Sequence, residues 1–317
     1  MNKKMKYTAL FLFCMSACGL IHGQQRAIAF TIDDLPVVST RQDIQNRQEI
    51  TKKLLKHLAD HEIPAVGFVN ENKLYREEGE CDQQQVDLLK MWLDAGLELG
   101  NHTFSHTSLH KITVEEFQQQ MIKGETITNE LLLAKHKKMR YFRHPYLHTG
   151  TSLDTKADMD KFFSEKGYIV APVTIDFEDY VFSSAYDRAF DKGDRKLMRR
   201  IGKAYVEYMD KMTAYWERQS RHIFGREISQ ILLIHANFIN SDYLDDVAER
   251  FEKRGYRTIT LEEALKDPAY REPDLFTGDV GISWLHRWAI KKGGGNVLAN
   301  EPKIPLFVVK ASVFGKS

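Results

Sequence analysis

The chain has 317 residues, 43% of them hydrophobic and 28% charged, a composition that excludes disordered, fibrous and low-complexity classes. Forty-five Lys and Arg against 44 Asp and Glu leave a formal charge of +1, which excludes the basic field that binds nucleic acid without sequence preference. No nucleic-acid partner is expected, and nothing in the sequence calls for an obligate protein partner.

At the start of the chain, Lys3, Lys4 and Lys6 precede an uncharged apolar run from Ala9 to Ile21, and the polar His22-Gly23-Gln24-Gln25-Arg26 follows it. The run is shorter than the roughly 20 residues that cross a bilayer. Residues 1–23 therefore read as a signal peptide, and the protein is expected to be exported, periplasmic or secreted. Met15-Ser16-Ala17-Cys18 also resembles a lipobox, so the alternative is a lipid anchor on Cys18. Removal of residues 1–23 takes the formal charge from +1 to −2 and leaves Cys81 alone, which excludes an intrachain disulfide.

From there, short β-rich apolar runs alternate with helical patterns. The predicted strands are Ala27–Ile32, Ala65–Val69, Leu97–Asn101, Met139–Arg143, Tyr168–Val173, Gln230–His235 and Tyr256–Ile259. Helical stripes fall between them at Ile50, Leu54, Leu55 and Leu58, at Val86, Leu89, Trp92 and Leu93, and at Phe117, Met121, Ile127, Leu131 and Leu132. This predicts an α/β protein with mainly parallel strands, either closed into a barrel or opened into a doubly wound sheet. The connection from Ser183 to Ser229 is too long for that pattern and rich in aromatic residues such as Tyr205, Tyr208, Tyr215 and Trp216, predicting a helical insertion over 183–229. Beyond Pro268 the alternation stops. Residues 271–317, with Trp284, Trp288 and the apolar Ile304–Val309, read as a C-terminal extension packed on the α/β unit at 24–270.

Polar residues gather at the C-terminal ends of the predicted strands, where α/β folds bind ligands: Asp33-Asp34, His102, Arg143 and His235. Burial penalises such a cluster unless a metal or ion pairs compensate it. Asp33 and Asp34 follow an extended run, in which neighbours point to opposite sides, so one carboxylate is expected to bind metal and the other to stay free. His102 and His106 are four residues apart, a spacing that brings two imidazoles to one cation, and His110 continues it towards a cap or surface position. With Asp34 they form a two-His-one-carboxylate set that leaves coordination positions open, the arrangement of a catalytic rather than a structural metal.

Thr31-Ile32-Asp33-Asp34, His102-Thr103-x-x-His106 and Arg143-His144-Pro145-Tyr146 resemble the first three motifs of the NodB-like polysaccharide deacetylases, carbohydrate esterase family 4. Asp176-Phe177-Glu178-Asp179-Tyr180 and Leu233-Ile234-His235 are similar to the next two, and Val247–Leu265 resembles the closing segment. The order is that of the family from Thr31 to His235. The resemblance implies a distorted (β/α)7 barrel and a metal-dependent hydrolase. Asp34, His102 and His106 would bind the divalent metal, usually Zn²⁺. Asp33 would be the general base acting on a metal-activated water, the backbone N–H of Tyr146 an oxyanion donor, His235 the general acid oriented by Asp179, and Arg143 the partner of Asp33 through a paired hydrogen bond. The implied substrate is an acetylated oligo- or polysaccharide, with N-acetyl groups of a glucosamine-containing glycan such as peptidoglycan or chitin fragments first. O-acetyl groups of xylan or another polysaccharide are the alternative, and a carbohydrate-binding barrel without catalysis is the remote one. Departures from the family pattern are Ile32, His144 and Leu147, the last two expected to reshape the groove, and Tyr180 in place of Trp. His148 reads as an ordinary loop residue, and Trp284 and Trp288 as core rather than sugar-stacking residues.

Overall fold

The computed structural model describes residues 26–294 and 300–313. The predicted signal peptide and Cys18 lie outside the described residues. Among those described, no helix is long and apolar enough to cross a membrane.

In chain order the elements are β1 (Arg26–Leu35), α1 (Ile44–Asp60), β2 (Val66–Val69), α2 (Gln83–Asp94), β3 (Glu98–Asn101), α3 (Val114–Lys123), α4 (Thr126–Ala134), β4 (Tyr141–Phe142), α5 (Leu153–Lys166), β5 (Ile169–Val170) and β6 (Ile175–Asp176). They continue with α6 (Asp179–Asp191), α7 (Arg195–Phe224), β7 (Gln230–His235), α8 (Phe238–Lys253), β8 (Tyr256–Thr258), α9 (Leu261–Ala264), α10 (Trp284–Lys291) and α11 (Leu306–Ala311). The strands form one parallel curled sheet in the order β5-β4-β3-β2-β1-β7-β6, with β8 joined to β1 at Arg26–Ile28. Helices surround it. The architecture is an α/β half-barrel: the alternation of runs predicted the parallel α/β class, and the family resemblance the barrel form.

Burial explains the central position of β1. Its residues from Ala27 to Ile32 are apolar on both faces except for Thr31 and buried throughout, the pattern of a strand covered on both sides. The helix stripes face inward as predicted: α1 buries Ile50, Leu54 and Leu58, and α2 buries Val86, Leu89, Trp92 and Leu93. Side-chain caps open both helices, with Asp43 accepting from the Asn46 N–H and Asp82 from the Gln84 N–H.

The structure corrects two sequence expectations. The sheet has eight strands rather than seven, because β6 is two residues long and too short to show a period. The single stripe from Phe117 to Leu132 is two helices, broken at Gly124, where a Cβ would lie 2.6 Å from the backbone of Thr103 and Phe104. That close approach seats the helix junction against the loop carrying His102 and His106.

Residues 183–229, read in the sequence as a helical insertion, are largely helical: α6 begins at Asp179, and α7 runs 30 residues with Tyr205, Tyr208, Tyr215 and Trp216 all buried. The Trp216 indole donates to Asp176 O at 3.2 Å, tying α7 to the end of β6. Trp216→Ala is expected to cost about 3–5 kcal/mol of stability through the cavity it leaves, measured by urea unfolding. A loss within the scatter of surface substitutions would show that α7 is not part of the core.

The sheet is open between β5 and β6, and the C-terminal segment crosses this seam. The Trp284 N–H donates to Val173 O at 2.8 Å, and the Ser283 hydroxyl donates to Thr174 O at 2.9 Å. Trp284 and Trp288 are buried, a core role rather than a sugar-stacking one.

Candidate metal and active site

The ionisable groups that the sequence singled out meet at the C-terminal ends of the strands. Asp33 ends β1 opposite His235 of β7 in the parallel register. His102 follows β3, with its N–H donating to Val69 O at 3.0 Å, and Arg143 follows β4, with its N–H donating to Asn101 O at 3.0 Å. Asp179 opens α6 just after β6.

Asp34 is not extended. Its φ of 70° turns the backbone into the left-handed region, so both carboxylates reach the site instead of pointing apart. His102 Nε2 lies 3.7 Å from Asp33 Oδ2 and 3.9 Å from Asp34 Oδ1, and His106 Nε2 lies 3.6 Å from Asp34 Oδ1. Thr103, His106, Tyr146, Leu147 and Glu178 also have positive φ. Non-glycine residues hold this conformation at a cost of about 1–3 kcal/mol each, and their concentration around one cluster marks a constellation fixed against local preference.

Asp34, His102 and His106 each offer one ligand atom, all within 4.8 Å of one another. Their chemistry fits a cation. The Nδ1–H of His102 donates to Arg143 O at 2.7 Å, which leaves Nε2 unprotonated toward the cluster. Asp34 Oδ1 is buried and accepts no hydrogen bond from a described residue. Burial holds both imidazoles below their ordinary pKa, so each keeps a lone pair at neutral pH. Against the opposing effect of burial, Lys73 and His106 keep the Asp34 carboxyl well below the carboxylate range.

Arg143 is fully buried and reads three positions at once. Its Nε donates to Ala171 O at 2.8 Å, Nη2 to Thr31 Oγ1 at 2.8 Å, and Nη1 to both Asp33 oxygens at 3.4 Å. The expected paired hydrogen bond is therefore one nitrogen shared between two oxygens, because Thr31 takes the other arm of the fork. Burial pushes Asp33 up to about 6 although Arg143 opposes it.

His235 Nδ1 is 2.6 Å from Asp179 Oδ1, and the His235 N–H donates to Asp179 Oδ2 at 2.9 Å. Asn237 and Asn240 donate to the same Oδ2 at 3.0 and 2.6 Å. Burial disfavours the His235 charge, yet Asp179 outweighs it and raises this imidazole to about 10. Tyr180, 43% exposed, stands 6.5 Å from the His235 ring. The exposed Tyr146 ring packs edge-on to His106 at 4.4 Å.

One neighbour does not follow the sequence reading. His144 is buried among Phe117, Phe142 and Phe163 rather than in a groove. His148 stacks on His110 at 4.0 Å, and its Nδ1 is 2.8 Å from the Ser108 hydroxyl. Sequence reasoning missed Lys73, whose ammonium donates to Asp34 O at 2.7 Å and lies 3.7 Å from Asp34 Oδ1. No local signal announces it. It also missed Asn237 and Asn240, although Asn237 caps α8 and an Asn after a strand end is a helix-start signal.

The same region matches a family of known sequences: residues 21–161 fit the model of the polysaccharide deacetylase family. That segment is similar to the family. It contains Asp33, Asp34, His102, His106, Arg143 and Tyr146, while Asp179 and His235 lie beyond it. A peptidoglycan-N-acetylglucosamine deacetylase of Bacillus cereus is 28% identical over 158 residues, 50% of this chain and 48% of that protein. The chain spans about half the length of this curated relative.

Among solved structures, a polysaccharide deacetylase from Bacillus cereus superposes with a TM-score of 0.52 at 16% identity, covering 74% of this chain and 92% of its own. A family 4 carbohydrate esterase pseudoenzyme from Bacillus anthracis gives 0.50 at 16%, covering 77% and 67%. At these identities the likeness is one of fold: the curled parallel sheet is that of the polysaccharide deacetylases.

Proposed function

We propose that this protein is a divalent-metal-dependent deacetylase that hydrolyses N-acetyl groups of a glucosamine-containing glycan, with Zn²⁺ as the metal. The observation that carries the reading is the open Asp34-His102-His106 set, flanked on one side by Asp33 and on the other by the Asp179-oriented His235. A cation held there would polarise the acyl oxygen and lower the pKa of water. Asp33, kept in place by Arg143, accepts the proton of the attacking water as its oxygen bonds to the acyl carbon. The Tyr146 N–H supports the oxyanion. His235 then donates its Nε2 proton to the departing nitrogen as the C–N bond breaks, and the Asp179 carboxylate stabilises the imidazolium beforehand.

An amide is the first choice because an amine leaves poorly without a proton, and the site holds an acid that is charged at neutral pH. The Bacillus cereus peptidoglycan relative agrees with a glycan amide. Acetate release from N-acetylglucosamine oligomers, compared with acetylated xylan, tests this. Release from xylan alone would make the protein an O-acetyl esterase, and glycan binding without release would make it a binding barrel. Export through residues 1–23 fits a wall or extracellular glycan, and detection of the mature N-terminus in the extracytoplasmic fraction tests it.

The pH profile follows from the two proton carriers. Asp33 must be ionised, so activity rises as pH passes its value of about 6; His235 must be protonated, so activity falls as pH passes about 10. Asp179→Asn removes the charge that raises His235, and the alkaline limb is expected to move down towards the ordinary histidine value of 6.5. An alkaline limb unmoved in a folded variant would remove His235 as the acid.

A further inference from the structure

We propose that the C-terminal segment positions the active site: Arg287 of α10 clamps the Tyr146–Leu147 turn, acting as a positioning residue far outside the family-matched region 21–161. The inference rests on the deacetylase reading of the site for its effect on turnover, and on geometry alone for the clamp.

The turn's own hydrogen bonds, from the Leu147 N–H to His144 O and from the His148 N–H to Pro145 O at 3.1 Å each, leave its backbone in an unfavoured conformation. Tyr146 and Leu147 both have positive φ, 57° and 55°, a conformation that side chains with a Cβ leave unless neighbours fix it. Arg287, 2% exposed, supplies the fixing contacts. Its Nη2 donates to Leu147 O at 2.5 Å, Nη1 donates to Thr149 Oγ1 at 2.7 Å and Asp274 Oδ2 at 2.6 Å, and Nε donates to Ile282 O at 2.9 Å. The guanidinium lies over Trp284 at 4.0 Å, which sets its plane.

A second contact comes from the same segment. At Gly281 a Cβ would stand 1.7 Å from Tyr146 O, so the irregular segment before α10 presses directly on the turn's first carbonyl. On its other side the turn meets the site, with the Tyr146 ring against His106. Arg287 thus joins the seam-closing segment to the turn that carries the proposed oxyanion donor, the Tyr146 N–H, through the next residue's carbonyl, Leu147 O. A plain structural ion pair would not require this, since Asp274 already has Lys156 at 2.8 Å.

The test compares wild type with Arg287→Lys, which keeps the charge and loses the fork, and Gly281→Ala, which crowds the turn. Hydrogen exchange of the 146–149 amides is expected to speed up by roughly tenfold in each variant. On N-acetylglucosamine oligomers kcat is expected to fall about 10- to 100-fold, with KM and Zn²⁺ affinity unchanged. Guanidinium added to Arg287→Ala is expected to recover part of kcat. Unchanged exchange in the turn of a folded variant, or a kcat equal to wild type, overturns the proposal. If wild type releases no acetate the deacetylase reading fails by itself, and exchange alone then decides the clamp. If Arg287→Ala does not fold, the Lys and Gly281 variants carry the result.

Discussion

Replacing Asp33 by Asn is expected to lower kcat by roughly 10²- to 10⁴-fold, the contribution of one well-placed proton acceptor. The substitution is nearly isosteric, and a carboxamide cannot take a proton from water at working pH. The metal is expected to stay, because the clustered ligand atoms belong to Asp34, His102 and His106 rather than to Asp33. Elemental analysis of the purified variant therefore reads one equivalent of metal while acetate release collapses. Turnover at the wild-type rate would move the base elsewhere, and joint loss of metal and activity would place Asp33 among the ligands. The buried Arg143 makes the amide tolerable: its Nη1 keeps one acceptor oxygen, and its other arms stay on Thr31 and Ala171.

Stripping the divalent cation is expected to lower acetate release by about 10³-fold or more, since polarising the acyl oxygen contributes several kcal/mol. Zn²⁺ added back restores it. His106→Ala is expected to make the loss permanent, leaving a protein that loses metal on gel filtration. The secondary structure should survive, because the His106 side chain is partly exposed, outside the apolar core. Full activity of chelated wild type would end the metal-dependent reading. Activity retained only in His106→Ala that still holds metal would assign the third ligand to another group.

Much of the fold was legible because long strands and stripes carry their own period. The strand at Gln230–His235 was placed residue for residue, and the stripes at Ile50–Leu58 and Val86–Leu93 lie on the buried faces of α1 and α2. Short elements escaped: Ile175–Asp176 has no room for a period, and the break at Gly124 is dictated by a loop distant in sequence. At the site, residue types and order pointed to the cluster, whereas orientation did not follow from them. Asp34 reaches inward because its backbone is left-handed, which no extended pattern predicts. Lys73 enters through a single 3₁₀ turn, Glu71–Leu74, whose lysine looks like any surface cation in the sequence. Arg143 was expected to face Asp33 with both arms; competition from Thr31, visible only in three dimensions, decides otherwise.

The open edge between β5 and β6 divides the chain in a way that sequence comparison does not. All three candidate ligands, with Arg143 and Tyr146, fall within the family-matched residues 21–161, while the segment that seals the seam and braces the turn lies beyond them. A fragment ending before Ser283 would therefore keep every ligand-bearing motif and still lose its weatherproofing: Val173 and Thr174 carbonyls uncovered, and the bed of α7 aromatics under His286 laid bare. Such a fragment would score as a deacetylase in any motif search and behave as an aggregation-prone metal binder. Carrying the ligand motifs and carrying the brace are thus separable properties of the chain, and truncation before Ser283 is the experiment that would pull them apart.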